Sequence, residues 1–268
     1  MHELLLYGQV PVERHEQVLK ILAGIAAMQP RTLFERHLIF RPLRSMQDNK
    51  PNKKFPNKPV KPQTLTFQHL VRQLEQSEFG KDSPILLGPE NNENASQPTY
   101  AWRIKTQETP EPETKTLVLR QATEAVFDNE QLRTFLDPAN NGFVSEFLVE
   151  GHRFVHKNTV LTLFRILRAS DMPQQTPLTS LPALESLKPL DTSGAFVLEA
   201  CVRIDDRTKP NLVSTASDEL NAFRDMMKGS VEMKVPERLS LDTRMFFCLS
   251  TSSNRHDKTR LKILIAEN

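Results

Sequence analysis

The stretch Gly142–Arg168, GFVSEFLVEGHRFVHKNTVLTLFRILR, restricts this chain more than any other. It reads as two long antiparallel strands joined at His156–Thr159, where Lys157-Asn158 supplies a tight polar connection. Along the first strand, Phe143, Ser145, Phe147 and Val149 alternate with Val144, Glu146, Leu148, Glu150, His152 and Phe154. The second strand, Val160–Leu167, is apolar on both sides, with Val160, Phe164 and Ile166 on one and Leu161, Leu163 and Leu167 on the other. Such a strand must be covered on both faces. The first strand spans about 14 residues, roughly 45 Å at strand rise, well beyond the usual length. Gly151 inside it weakens the ladder but lets a long strand bend, as barrel strands must. The expected centre of the fold is a long, bent hairpin in a closed or nearly closed antiparallel sheet.

The flanking sequence supplies more strands and a few helices. His2–Tyr7, Leu33–Phe40, Tyr100–Thr106, Thr114–Gln121 and Phe196–Ile204 read as strands, and Met245–Leu249 and Leu261–Ile265 as two further short ones. Apolar residues at helical spacing predict helices over Val12–Met28, over Asn211–Lys228 with Gly229 as its C-cap, and after the capping residue Asp128. Leu65–Glu78 is expected to be a short helix with Leu70, Val71 and Leu74 on one side. The stretch Arg44–Pro62 carries six basic residues against one acidic and four prolines, and reads as a solvated loop in preference to a basic tether for an acidic partner or nucleic acid. The predicted fold class is mainly β (α+β): a single antiparallel multi-stranded β-barrel domain over residues 1–244, with a few packed helices and long Pro-rich loops. Disordered loops are expected near 44–62, 88–99, 107–113 and 169–194, followed by a tail at 245–268 whose structure the pattern does not specify.

Composition narrows the function. The net charge, 35 − 33 = +2, is too balanced to mark a dedicated nucleic-acid binder. Cys201 and Cys248 lie far apart without a CxxC and read as unpaired thiols in a reducing compartment. No apolar run reaches membrane-spanning length, and MHELLLYGQV lacks a signal peptide's basic region, so an intracellular soluble protein is expected.

Motifs for chemistry are missing. The closest glycines, Gly80 and Gly88, are eight apart, which excludes both the phosphate loop and the dinucleotide fingerprint; GxSxG is absent too. His2-Glu3 and His15-Glu16 lack the second histidine of HExxH. His152 and His156 fall on one strand face roughly 13 Å apart, too far to share an ion, and are expected to cap or face solvent. A charged β tunnel remains as the catalytic alternative: a metal-dependent triphosphate phosphohydrolase with Glu146, Glu150, Arg103 and Arg203 inside. That chemistry asks for carboxylates two apart on one strand. Glu146 and Glu150 are four apart, and Glu111 and Glu113 lie in a Pro-rich loop. Catalytic, cofactor-binding and metal-binding residues are therefore all expected to be none.

Several segments in order resemble a known family. HELLLYGQVP, LAGIAAMQP and FERHLIFRP resemble the N-terminus of the fungal form of Mediator complex subunit 18. The series Gly142, Phe143, Phe147, Gly151, His152 and Phe154, then VLTLFRILR and KGSVEMKVPERLSLDTR, resembles the same family. The resemblance covers most of Met1–Arg244; the tail and the Arg44–Pro62 loop depart from it. It implies a barrel related in shape to tunnel-type RNA triphosphatases but without their activity. It also implies a nuclear coactivator subunit in the Mediator head module, paired with subunit 20 and tethered by a C-terminal helix of subunit 8. Regulators would act through it on RNA polymerase II transcription, with no direct sequence-specific contact to nucleic acid and none to membrane.

Overall fold

The computed structural model describes residues 1–43, 66–86, 100–112, 116–169 and 175–243. The strands are β1 (His2–Val10), β2 (Arg31–Pro42), β3 (Gln68–Leu74), β4 (Arg103–Gln107), β5 (Val118–Val126), β6 (Asn141–His156), β7 (Thr159–Arg168), β8 (Lys188–Pro189) and β9 (Phe196–Ile204). The helices are α1 (His15–Ala26), entered through a 3-10 turn at Val12–Arg14, α2 (Asn129–Leu136) and α3 (Pro210–Met227). Neighbouring strands run β6-β2-β3-β4-β5-β1-β9-β7-β8, and β6 also pairs with β7. Eight antiparallel strands thus close into a barrel, with β8 added at Leu167 and Arg168 of β7. Closure leaves the hairpin strands with partners on both sides, which suits a segment with so much apolar surface.

The β6–β7 hairpin is paired from Leu148↔Leu167 to His156↔Thr159, and Lys157 takes the left-handed turn at φ 54°. Gly151 permits a close approach: a Cβ there would lie 2.2 Å from the Leu163 carbonyl oxygen. A bulge interrupts the β2–β6 pairing, so that Ile39 faces Ser145 while Phe40 faces Phe143. Val144 is the extra residue, and it turns Phe143 to the side of Leu148, where its ring packs at 5.8 Å from that of Phe40. The sequence pattern placed Phe143 with Ser145, Phe147 and Val149; the bulge corrects that by one register step.

Register assigns every strand two faces. The outer face packs beneath the helices. Val18 and Leu22 of α1 and Ala216, Leu220, Phe223 and Met227 of α3 meet Leu4, Leu6, Phe154, Leu161, Leu163 and Leu198 of the barrel. Leu132 and Phe135 of α2 cover Leu38, Phe40 and Leu70, beside Trp102. Asp128 caps α2 reciprocally with Gln131, as its position predicts. Phe34, Leu74, Leu148 and Leu167 are covered by Leu181 and Leu187.

That last cover corrects an expectation. Residues 175–194, placed in a disordered loop, contain a 3-10 turn at Leu184–Ser186, strand β8 and two buried leucines. In the 107–113 segment, backbone bonds from Glu108 to Gln121 (2.9 Å) and Glu111 to Leu119 (2.8 Å) prolong the β4–β5 hairpin. Gln68–Leu74 is a strand, not the expected helix. Leu70 and Leu74 pack outward while Val71 points inward, so burial on both faces imitates helical spacing. The expected loops at 44–62 and 88–99, the tail at 245–268 with its two short strands, and Cys248 lie outside the described residues.

Candidate functional site

The inner face is where the barrel concentrates charge. On β1 the inward positions are Glu3, Leu5 and Tyr7; on β2 they include Glu35, His37 and Ile39. Arg103 and Lys105 of β4, Arg120 and Glu124 of β5, Arg153 of β6, and Glu199 and Arg203 of β9 also face inward by register. Glu3 lies 3.1 Å from Arg120 and 3.3 Å from Arg203. Arg203 reaches Glu124 at 3.4 Å, and Glu124 reaches Arg103 at 2.8 Å. Glu35 meets Arg153 at 3.3 Å and His37 at 3.1 Å. Most of these contacts tie one strand to its sheet neighbour, while Arg203–Glu124 reaches past β1 from β9 to β5, so together they brace the inner wall.

Electrostatics follow from this packing. Burial by itself raises the Glu3 carboxyl, but Lys105, Arg120 and Arg203 outweigh it and leave the group below its ordinary value. Burial likewise opposes Glu35, yet the hydrogen bond and charge of His37 together with Arg153 and Lys105 bring it down to about 2. Burial, reinforced by His37, Lys105 and Arg120, lowers inward-facing His69 to about 3. The Cys201 thiol is pushed up to about 12 by burial and by Glu199 and Glu3, which removes it as a nucleophile near neutral pH. Lys105 alone of the inward cations makes no direct ion pair or hydrogen bond among the described residues; it acts at longer range on Glu3 and Glu35. One end of the lumen is stoppered by Leu241, which packs on Leu5, Val118 and Cys201. The segment carrying Leu241 is bound to β1 by reciprocal Tyr7–Lys234 backbone bonds.

The structure divides the four residues of the catalytic alternative. Arg103 and Arg203 do face the lumen, each already held by carboxylates. Glu146 and Glu150 point the other way, opposite Leu38 and Phe34 on the outer face. Glu146 accepts from Arg36 at 2.7 Å, and both side chains are essentially inaccessible, at 1% and 0% exposed. Arg36 also donates to the Ser83 and Leu178 carbonyls at 2.7 and 2.6 Å. Glu150 pairs with Arg165. Alternation made Glu146 and Glu150 face-mates correctly; it could not say which face was inside. His152 does not face solvent: its half-buried ring lies 5.7 Å from that of His15. Sequence reasoning missed Glu3, Glu35, Arg120, Glu124 and Arg153. The available signal was a single charge inside an otherwise apolar strand, as in HELLLY and LFERHLIF. Among the described residues, no group of three or more His, Cys, Asp or Glu converges as metal ligands would.

A closed antiparallel barrel, helix-covered outside and ion-paired along its inner wall, defines a rigid scaffold whose inner carboxylates hold its own wall. Residues 2–244 match the family model described as Med18 protein, and the chain belongs to that family. The Aspergillus niger protein named Mediator of RNA polymerase II transcription subunit 18 is 29% identical over 269 residues, covering 91% of this chain and 99% of that one. The Coccidioides immitis protein of the same name is 29% identical, covering 91% and 100%. Among solved structures, a chain of the Schizosaccharomyces pombe Mediator head module superimposes with a TM-score of 0.61 at 16% identity, covering 91% of this chain and all of that one. This last likeness shows the fold.

Proposed function

We propose that this chain is a non-catalytic subunit of the Mediator coactivator, acting through protein contacts within the head module. The observation that carries the reading is the family match over residues 2–244, with relatives aligned over nearly their whole length. The lumen supports it, because Glu3, Glu35 and Glu124 are each engaged by arginines. In this reading residues 1–244 act as one domain with 245–268 as an appended tail. The chain forms a heterodimer with subunit 20, is tethered by the C-terminal helix of subunit 8, contacts other head subunits and works on RNA polymerase II in the nucleus. It needs no cofactor, no sequence-specific DNA contact and no membrane. Among the described residues no helix is long and apolar enough to cross one.

The test is co-expression with subunit 20 and the subunit 8 helix, followed by size-exclusion chromatography. Stoichiometric co-elution is expected; a monomer eluting alone would overturn the reading. The triphosphatase alternative is disfavoured by the outward aim of Glu146 and Glu150. Tripolyphosphate with Mn²⁺ or Mg²⁺ should give no phosphate release.

A further inference from the structure

The cover over the outer face leaves a groove of about 580 Å³ between the start of α1 and the wall formed by β2, β6, β7 and β9. Its apolar lining comes from Val12, which is 42% exposed, and from Phe34 and Phe196. His15 stacks on Phe196 at 4.1 Å and approaches His152 at 5.7 Å, so two imidazoles stand side by side along it. Nε2 of His15 and Nδ1 of His152 are buried without a hydrogen-bond partner. A buried polar atom left unpaired costs roughly 1–3 kcal/mol.

The charge around the groove is one-sided. Glu150 is neutralised by Arg165, whereas Glu13 and Glu16 are exposed and make no ion pair among the described residues. Burial lowers both histidines further, helped at His15 by Arg165 and at His152 by His15, so both are neutral near pH 7. The lining therefore carries a net charge of −2, from Glu13 and Glu16. Both acids favour the N-terminus of α1, and that placement also projects them over the groove.

We propose that this groove docks a short segment of a partner protein, which inserts one apolar side chain between Val12 and Phe34 and lays flanking Lys or Arg residues on Glu13 and Glu16. An acidic segment is repelled, and a purely apolar one leaves Glu13 and Glu16 without counter-charges. The inference deepens the Mediator reading, since it names the chemistry of one contact made within that assembly.

The test places a photo-crosslinking benzoylphenylalanine at Val12 in the chain co-expressed with the head subunits. A cross-link to a partner segment with an apolar residue beside Lys or Arg is expected. The pair Glu13→Lys and Glu16→Lys should reduce its yield about tenfold, whereas Glu130→Lys on α2 should leave it unchanged. Co-purification with cross-links only within this chain, to a second copy of it, or insensitive to charge reversal overturns the groove assignment alone. Failure to co-purify at all overturns the Mediator reading instead.

Discussion

The same barrel wall carries two charged clusters, one outside and one inside, and their surroundings make them behave differently. Outside, Arg36 and Glu146 are sealed from water, and Arg36 ties the Ser83 and Leu178 backbones to the sheet. Inside, Arg103 and Arg203 remain 33% and 46% exposed while each serves two carboxylates. A sealed pair has no substitute when one partner goes, because the survivor keeps an uncompensated charge. Apart from the buried Glu3–Arg120 pair, the hydrated links through Arg103, Arg203 and Glu124 can redistribute their partners, so each is individually weaker. The difference teaches where charge holds covering segments onto the barrel and where it merely braces the lumen.

The largest effect should come from the sealed pair. Glu146→Ala strands the Arg36 guanidinium and is expected to cost about 3–5 kcal/mol, read as a lowered midpoint in urea. The double replacement Arg36→Met with Glu146→Leu should recover much of that loss. Equal loss in the single and double variants would show that the pair's charge is not what matters.

Next in size is the acid response of the inner face. Folded His69 binds fewer protons than the unfolded chain, because its value falls from 6.5 to about 3. Its stabilisation is therefore complete above pH 6.5 and lost as pH falls through that window, at up to about 1.4 kcal/mol per pH unit. Glu35, lowered from 4.5 to about 2, adds a second loss between those values. Chemical denaturation from pH 8 to pH 4 should show stability falling below 6.5, and His69→Asn should make that slope shallower. A slope unchanged by the substitution would remove His69 as its source.

Smaller still is Glu124→Gln. Arg203 keeps Glu3 and Arg103 keeps Glu35, so the expected cost is about 1 kcal/mol or less in the same urea experiment. A loss matching Glu146→Ala would erase the contrast between the clusters. The least change concerns Cys201: with its thiol at about 12 and its side chain buried, iodoacetamide at pH 8 should leave it unlabelled in the folded chain. Rapid labelling without unfolding would mean that the Leu241 stopper opens.

Much of the fold was legible because periodicity and turn chemistry act locally. The β6–β7 hairpin, the Asp128 cap and the apolar stripe of α3 all follow from nearest-neighbour rules. The expected helix at Leu65–Glu78 failed because strand β3 is buried on both sides, which erases alternation. The lumen was half legible. Alternation gave face-mates such as Phe196 and Leu198 correctly, but inside and outside depend on where the helices pack, a long-range fact. The Val144 bulge was invisible because one inserted residue leaves composition and pattern almost unchanged. The groove at His15 was also out of reach, since it joins α1 to strands far along the chain.

The central claim is that the lumenal charges hold the wall and perform no reaction. The most direct test reconstitutes the head module with the variant Lys105→Met and Glu124→Gln and measures activated transcription in a purified RNA polymerase II system. Assembly and transcription equal to those with the unsubstituted chain are expected. An intact module that no longer supports transcription would contradict the claim and return the lumen to consideration as a site of chemistry.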